Sequence, residues 1–366
     1  MSGRIRSVTT GTATLPLPAP LRLGPMEIRE REYAAVRVET EEGIVGKAYC
    51  LTRNAPVAAC VDRLITPHLL GRDAADIEAR WDDSYRANVF VGRTGLVIRA
   101  LGLTDVALWD IAAQTAGQPL WRHLGGEDPS VPVMMVAAYP VAGREPESLA
   151  ADVVRYAREG YGLLKVARSA DAGRMRRLLE AAGAGLPEGA AIVVDAGFGW
   201  RTAGEALAEL SLWGETPRLA WLEDPLVPED AAGCAAIRRG GPHPVGVGDE
   251  VTDPGTYRAL LDAGALDVLR LDVIAIGGVT AARRVQALAA ERAVPVSFHV
   301  YPEVSVHLAA TRPGTTVETF DQDHPGGNPL DPAHRLRTGR LSIASGRAIA
   351  PETPGLGFDL DWSLFS

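Results

Sequence analysis

Short apolar runs alternate with amphipathic stretches along the chain after residue 130. Eight runs are rich in Val, Ile or Leu: "VPVMMVAAYP" (131–140), "GLLKVAR" (162–168), "AIVVDAG" (191–197), "LAWLEDP" (219–225), "PVGVGDE" (244–250), "VLRLDVI" (268–274), "PVSFHVY" (295–301) and "TTVETF" (315–320). Stretches of helical period, such as "EPESLAADVVRYAREG", lie between them. This alternation predicts an α/β fold with a parallel sheet, and eight such units favour a closed barrel. A doubly wound open sheet is the alternative, but no Gly-x-Gly-x-x-Gly follows the first run.

The first ~125 residues have a different pattern. "YAAVRVETEEGIVGKAYC" alternates apolar and polar residues around a turn, and "VIRALGLTDVALWDIAAQTAGQPLWRHLGG" predicts one long helix closed by Gly125 and Gly126. We therefore predict an α+β capping domain at 1–128, a barrel at 129–325, and a Gly/Pro-rich segment at 326–366 that returns to the capping domain. "YCLTRNAP" (49–56) is the expected lid, in which Arg53 or Asn54 meets a distal carboxylate or hydroxyl. "TATLPLPAP" is expected to be a second lid loop.

Composition narrows the class of protein. The chain has 366 residues, 46% hydrophobic and 23% charged, and no apolar run approaches the ~20 residues of a membrane span. Three cysteines form no framework, and the N-terminus has no apolar signal region, so a cytoplasmic protein is expected. The net charge of −9, with no Lys/Arg cluster, argues against a nucleic-acid partner.

Polar residues end most of the eight runs. A carboxylate in such a place is often only a helix cap. As a set these residues are harder to explain in that way, because active sites of barrels lie at the C-terminal ends of the strands and buried acids need a partner or a metal. The residues are Lys165, Asp195, Glu223, Asp224, Asp249, Glu250, Asp272, His299 and Glu318.

Asp195, Glu223 and Asp249 are spaced about one βα unit apart. Three oxygen ligands with open positions suit Mg²⁺, so the sequence predicts a magnesium site. Lys165 is placed to neutralise a substrate carboxylate or oxyanion beside that ion. Asp272 and His299 end adjacent strands, so the carboxylate is expected to orient the imidazole as a general base or acid.

These residues, in this order and spacing, resemble the enolase superfamily and within it the mandelate racemase subgroup, over nearly the whole chain. The similar motifs are "ALWDIAAQTAGQPLWRHLGG", "VVDAGFGW", "WLEDPL", "VGDEVTD", "DVLRLDVIAIGGVTAARRVQALA", "VPVSFHVYPEVSVHLAA" and "VETFD". The resemblance implies a modified TIM barrel, (β/α)7β-like, with Mg²⁺-assisted removal of the proton α to a carboxylate. It places Glu318 where the family has a hydrogen-bond donor to the enediolate, and it implies a homo-oligomer.

Two positions depart from the family pattern. The second lysine of the Lys-x-Lys motif is Ala167, and Gly197 stands where asparagine is common. Residues 165 and 167 share a face of the strand, so one expected base is missing while Arg168 points away. Asp272 stands where muconate-type cycloisomerases and dipeptide epimerases carry a lysine, which argues against both activities.

With His299 as the one assigned base, β-elimination is favoured over racemisation. We therefore expect a dehydratase of sugar acids that yields 2-keto-3-deoxy acids. A racemase or epimerase of 2-hydroxy acids would need a substitute base, for which Tyr139 is the first candidate, followed by Tyr301 and Arg168. A degenerate barrel that only binds ligands is the third hypothesis. His324 is expected near the pocket mouth, and Glu250 is the alternative to Asp249 as third ligand.

Overall fold

The fold begins with a long antiparallel ribbon. The computed structural model describes residues 3–23, 26–139, 144–216, 218–323 and 330–366. Its first sheet has the order β1-β2-β3, formed by β1 (Ile5–Leu23), β2 (Met26–Thr40) and β3 (Val45–Leu51). Tyr33 to Val36 in β2 are all fully buried. Because successive side chains of a strand point to opposite faces, both faces of the sheet are covered at this place.

The stretch "TATLPLPAP", expected to be a second lid loop, is part of a strand. It forms part of β1 and pairs with β2, with a shift of register between Pro16 and Leu21. Leu17 and Leu21 pack with Val136 of the barrel, and the partly buried Tyr139 joins the same cluster. The ribbon therefore reaches the barrel near the end of its first strand.

Helices complete the capping domain. They are α1 (Val57–Cys60), α2 (Thr66–Leu69), α3 (Ile77–Ala87), α4 (Leu96–Thr115) and α5 (Leu120–His123), with a π-helical turn at Val61–Ile65 between the first two. The single long helix expected up to Gly125 is wrong, since it breaks after Thr115. Gly117 has φ +66° and Pro119 has no N–H to continue the helix, so α5 starts anew.

The barrel is confirmed, and each of its eight strands falls within one of the predicted runs to within a residue. The strands are β4 (Ser130–Ala138), β5 (Leu163–Ala167), β6 (Ala191–Asp195), β7 (Leu219–Glu223), β8 (Val245–Val247), β9 (Val268–Asp272), β10 (Val296–His299) and β11 (Thr316–Thr319). Neighbours pair in parallel and β11 closes on β4. No open sheet edge is left in the barrel, which excludes the doubly wound alternative.

Seven helices alternate with the strands in the described residues. They are α6 (Pro146–Arg158), α7 (Ala172–Gly185), α8 (Ala203–Leu210), α9 (Ala231–Gly240), α10 (Pro254–Asp262), α11 (Gly278–Ala290) and α12 (Pro302–Ala309). This is the (β/α)7β order. Among the described helices, none combines the length and the apolar character required to cross a bilayer.

The C-terminal segment contacts both parts. Its strands are β12 (Arg337–Thr338), β13 (Ser342–Ala344), β14 (Arg347–Ile349) and β15 (Asp359–Leu360). Strand β14 pairs antiparallel with the start of β4, while Leu356 N–H donates to Asp110 of α4 at 2.9 Å. The tail thus joins barrel and capping domain, which positions the capping domain relative to the barrel.

Candidate active site

Parallel register brings the acidic residues to one level at the C-terminal mouth of the barrel. Asp195 lies beside Glu223 in the β6–β7 pair, and His299 lies beside Asp272 in the β10–β9 pair. Asp249 follows β8 by two residues. Glu223 and Asp272 are fully buried, and Asp249 is 8% exposed. Carboxylates so deeply buried require a compensating positive charge.

Lys165 supplies one such charge. Its Nζ lies 2.5 Å from Glu223 Oε1, 3.0 Å from Glu318 Oε2, 3.2 Å from Asp195 Oδ2 and 3.5 Å from Asp249 Oδ2. Burial alone would lower the pKa of Lys165, but Asp195, Glu223 and Glu318 raise it well above its usual value. The ammonium group therefore marks the point that these carboxylates share.

The three predicted metal ligands fit a small divalent cation. One oxygen of each is held by a neighbour: Asp195 Oδ1 accepts the Gly197 N–H at 2.9 Å, while Glu223 Oε2 and Asp249 Oδ1 lie 2.9 and 3.0 Å from Nε of Arg270. The other oxygen of each faces Lys165 Nζ. Glu223 Oε1 is a buried oxygen outside hydrogen-bonding geometry with any described residue. Three carboxylate oxygens that converge on one point in this way suit Mg²⁺, which keeps waters or substrate oxygens in its remaining positions.

Asp224 orients the third carboxylate through the backbone. Its Oδ1 accepts the N–H of Gly248 at 2.9 Å and its Oδ2 accepts the N–H of Asp249 at 3.2 Å. Burial, followed by the charges of Asp249 and Glu223, raises the pKa of Asp224 well above its usual value. Oxygens of Glu223, Asp224 and Asp249 lie within 4.8 Å of one another, so these three acids form one buried cluster.

His299 faces the carboxylates with one ring nitrogen and Asp272 with the other. Nδ1 lies 3.3 Å from Asp272 Oδ2, and Nε2 lies 3.4 Å from Asp249 Oδ2. Asp272 Oδ1 in turn accepts the N–H groups of Ile274 and Ala275, both at 2.9 Å. Burial alone would lower the pKa of His299, but Asp249, Asp272 and Glu318 raise it to about 9. The Asp272 contact leaves Nε2 to exchange protons with a ligand.

Glu318 lies between two cations. Its Oε2 is 3.0 Å from Lys165 Nζ and also accepts a hydrogen bond from Nη2 of Arg270. In this arrangement the carboxylate is an acceptor. Its expected role as a donor to a bound substrate stays a prediction.

Arg270 is a site residue that the sequence analysis missed. It is fully buried in the middle of β9 and contacts Glu223, Asp249 and Glu318. A signal was present in "VLRLD", where an arginine interrupts an apolar strand two residues before Asp272. Residues two apart point to the same face of a strand, so the sequence predicts that Arg270 and Asp272 lie on the same face.

The expected substrate contacts are placed in different ways. Tyr139 donates from its hydroxyl to Asp195 Oδ2 at 2.5 Å, next to the carboxylate cluster. The buried Tyr301 accepts the N–H of Leu51 at 3.0 Å, so its hydroxyl is engaged by the capping domain. Arg168 forms an ion pair with Glu209 and lies over the ring of Trp200, away from the site.

The lid residues and Glu250 form a second group. Glu250 pairs with Arg53 and, at 2.7 Å, with Arg99 of α4. Burial would raise the pKa of Glu250, but the two arginines lower it to about 2. Asn54 is exposed, and His324 lies outside the described residues. Glu250 thus binds the predicted lid, while Asp249 faces the other two carboxylates.

Comparisons with known proteins agree with this geometry. Residues 5–125 match "Mandelate racemase / muconate lactonizing enzyme, N-terminal domain", and residues 148–364 match "Enolase C-terminal domain-like". The chain is 31% identical to the 3,6-anhydro-alpha-L-galactonate cycloisomerase of Streptomyces coelicolor, over 98% of this chain and 97% of that protein.

Two solved structures share the whole fold. A racemase from Streptomyces coelicolor with bound magnesium is 28% identical, with a TM-score of 0.88 over 99% of this chain and 100% of that one. The L-talarate dehydratase from Polaromonas sp. JS666, complexed with Mg and L-glucarate, is 27% identical, with a TM-score of 0.86 over 99% and 97%. Magnesium is thus bound in homologous structures, and the buried carboxylates here form a candidate metal site. The chain belongs to the mandelate racemase/muconate lactonizing enzyme family of the enolase superfamily.

Proposed function

We propose that the protein dehydrates a sugar acid, an aldonate or an aldarate, to a 2-keto-3-deoxy acid with Mg²⁺ as cofactor. The observation that carries this proposal is the His299–Asp272 pair facing the carboxylate cluster, with Ala167 where a second base would be needed. Alanine has no proton to exchange. A single acid–base group suits elimination, whereas a racemase needs groups on both faces of the α-carbon.

The residues divide the chemistry as follows. Asp195, Glu223 and Asp249 hold the cation, which when bound supplies positive charge beside the substrate carboxylate. Lys165 adds a second positive charge, so the negative charge that develops on that carboxylate is stabilised in a buried site. Burial of Lys165, which is 1% exposed, strengthens this interaction by excluding water.

His299 moves the proton. A cation held by Asp249 would offset the negative charge that raises the pKa of His299, so that the ring can be neutral. Nε2 of the neutral ring takes the α-proton as the C–H bond breaks, and the pair of electrons passes into the carboxylate to give an enediolate. The imidazolium then gives that proton to the departing hydroxyl on the β-carbon, so water leaves and an enol remains. The enol tautomerises to the 2-keto acid. Asp272 holds Nδ1 through both protonation states.

A cycloisomerase is the second candidate, and the 31% identity to an anhydro-sugar acid cycloisomerase favours it. The first half of the reaction would be the same. In the second half a ring oxygen on the β-carbon would leave in place of hydroxide. His299 would protonate that oxygen, and the ring would open without loss of water.

The test is a panel of aldonates, aldarates and their anhydro and lactone forms, incubated with Mg²⁺ in D₂O. Chemical detection of the 2-keto group and NMR of the α-position separate dehydration, ring opening and exchange without elimination. We expect His299→Asn to lower turnover by about 10²–10⁴-fold. The matched control is His243→Asn, since His243 contacts Thr216 outside the site.

Three results would reject the proposal. Wild-type turnover in a folded His299→Asn protein would remove this histidine from the mechanism. Exchange at the α-carbon without elimination, for every acid in the panel, would favour an epimerase. Binding of acids with neither exchange nor turnover would favour a binding protein.

A further inference from the structure

Arg270 contacts two of the predicted metal ligands, Glu223 and Asp249, through the oxygens that do not face Lys165. Its guanidinium is fully buried, and all its nitrogens have partners. Nε lies 2.9 Å from Glu223 Oε2 and 3.0 Å from Asp249 Oδ1. Nη1 donates to Ser297 Oγ at 2.6 Å and to Phe298 O at 3.4 Å. Nη2 donates to Glu318 Oε2. The arginine is therefore fixed in orientation as well as in charge.

This contact divides the oxygens of two carboxylates. Arg270 Nε donates to Oδ1 of Asp249 and lies 2.9 Å from Oε2 of Glu223, which also accepts the N–H of Trp221 at 3.2 Å. The remaining oxygens, Glu223 Oε1 and Asp249 Oδ2, lie 2.5 and 3.5 Å from Lys165 Nζ. A cation at the shared point would thus meet one free oxygen from each residue. Bidentate coordination by either residue would require it to leave Arg270.

Coordination mode separates the common divalent ions. Mg²⁺ takes six ligands in octahedral geometry at about 2.0–2.1 Å, whereas Ca²⁺ takes 6–8 oxygens at about 2.3–2.6 Å and readily accepts bidentate carboxylates. We propose that Arg270 is a positioning residue that restricts Glu223 and Asp249 to one oxygen each, and thereby selects Mg²⁺ over Ca²⁺. This inference rests on the proposed ligand set.

Charge compensation alone is the competing explanation for a buried arginine here. Lysine at the same position would keep the positive charge but lose the planar group in which Nε faces Glu223 and Asp249 while Nη2 holds Glu318. Arg270→Lys therefore separates geometry from charge, and Arg270→Gln removes both. The charge-matched control is Arg238→Gln, because Arg238 pairs with Asp267 away from the site.

The experiment measures dissociation constants for Mg²⁺ and for Ca²⁺ by titration calorimetry, in the wild-type protein and the three variants. We expect the preference for Mg²⁺ over Ca²⁺ to fall by about tenfold or more in both Arg270 variants, the scale seen when residues that orient metal ligands are removed. The preference in Arg238→Gln should equal that of the wild type.

Each other outcome counts against the inference. An unchanged preference in both folded Arg270 variants overturns it, and so does a wild-type preference in Arg270→Lys alone. If neither variant folds, a crystal structure of the wild-type protein with Mn²⁺ decides, because bidentate Glu223 or Asp249 would contradict the proposal. A wild-type protein that binds no Mg²⁺ would instead reject the proposed function itself.

Discussion

Two neighbouring acids in this site, Asp249 and Glu250, contact different parts of the molecule. Asp249 faces Lys165 and His299, whereas Glu250 faces Arg53 and Arg99. The two side chains diverge because Glu250 has φ +56°, a left-handed conformation that is unusual for a residue other than glycine. This conformation lets Asp249 face the other carboxylates while Glu250 faces the capping domain.

Substitutions at these neighbours are expected to separate metal binding from lid contact. Asp249→Asn should weaken Mg²⁺ binding by about 100-fold or more, because it replaces a charged ligand oxygen. Glu250→Gln should leave Mg²⁺ affinity within about threefold, since its charge is already paired with two arginines. Titration calorimetry with Mg²⁺ checks both. The reverse pattern would make Glu250 the third ligand.

Most of the site residues that could be predicted from the sequence lie at the ends of the barrel strands. The expectation of acidic residues at Asp195, Glu223 and Asp249 or Glu250 needed only the βα repeat and the rule that parallel strands end at one mouth, whereas the choice of Asp249 came from the family resemblance. The side chains that contact these acids could not be predicted from strand position. A contact such as that of Tyr139 with Asp195 depends on the reach and orientation of a long side chain. The alternation of side chains along β9 could have identified Arg270, but this residue lies inside an apolar run and not at its end.

Helices and strands with a regular pattern of apolar residues were predictable from the sequence. Two elements were missed, each for a different reason. The eight barrel strands follow from runs of branched apolar residues bounded by turns. The β1 strand was hidden because "TATLPLPAP" contains three prolines, and its pairing with β2 is a long-range contact that no local pattern shows. The break between α4 and α5 was visible in "AGQP" but was outweighed by the apolar period on both sides.

Helix α11 begins at a position that excludes side chains. Gly277 and Gly278 have φ +106° and +92°, and a Cβ at Gly278 would lie 2.4 Å from Asp105 Oδ2. Asp105, on α4 of the capping domain, accepts the Thr280 N–H at 2.9 Å and the Thr280 hydroxyl at 2.6 Å. The N-terminus of this barrel helix is therefore capped from another domain.

Gly278→Ala is expected to destabilise the protein by about 2 kcal/mol or more, since it combines an unfavourable φ with displacement of the Asp105 cap. The control is Gly183→Ala in the last turn of α7, where a Cβ meets nothing within 4 Å. That variant should be more stable by about 0.5–1 kcal/mol. Urea unfolding followed by circular dichroism measures both, and equal effects would contradict the capping argument.

At the scale of the whole molecule, His307 connects three parts of the chain. It lies buried in α12 of the barrel, its Nδ1 accepts the Trp121 N–H of α5 at 3.1 Å, and its Nε2 donates to Leu356 O of the C-terminal segment at 3.1 Å. These partners fix the neutral tautomer, because a proton on Nδ1 would face another N–H. Burial lowers the pKa of His307 to about 4, against a raising effect of the Leu356 contact.

This histidine should weaken the fold as the pH falls. Between its ordinary pKa of about 6.5 and about pH 4 the unfolded chain binds a proton there that the folded chain refuses, so the free energy of unfolding decreases by about 3 kcal/mol over that window. Asp105 and Asp110, whose burial raises their pKa values to about 7 and about 6, act in the opposite direction. The measurement is therefore the difference between wild type and His307→Gln in urea unfolding from pH 7 to pH 4. The non-titrating glutamine should be less stable at pH 7, and the gap should close as the pH falls. A constant gap would show that His307 does not titrate in this range.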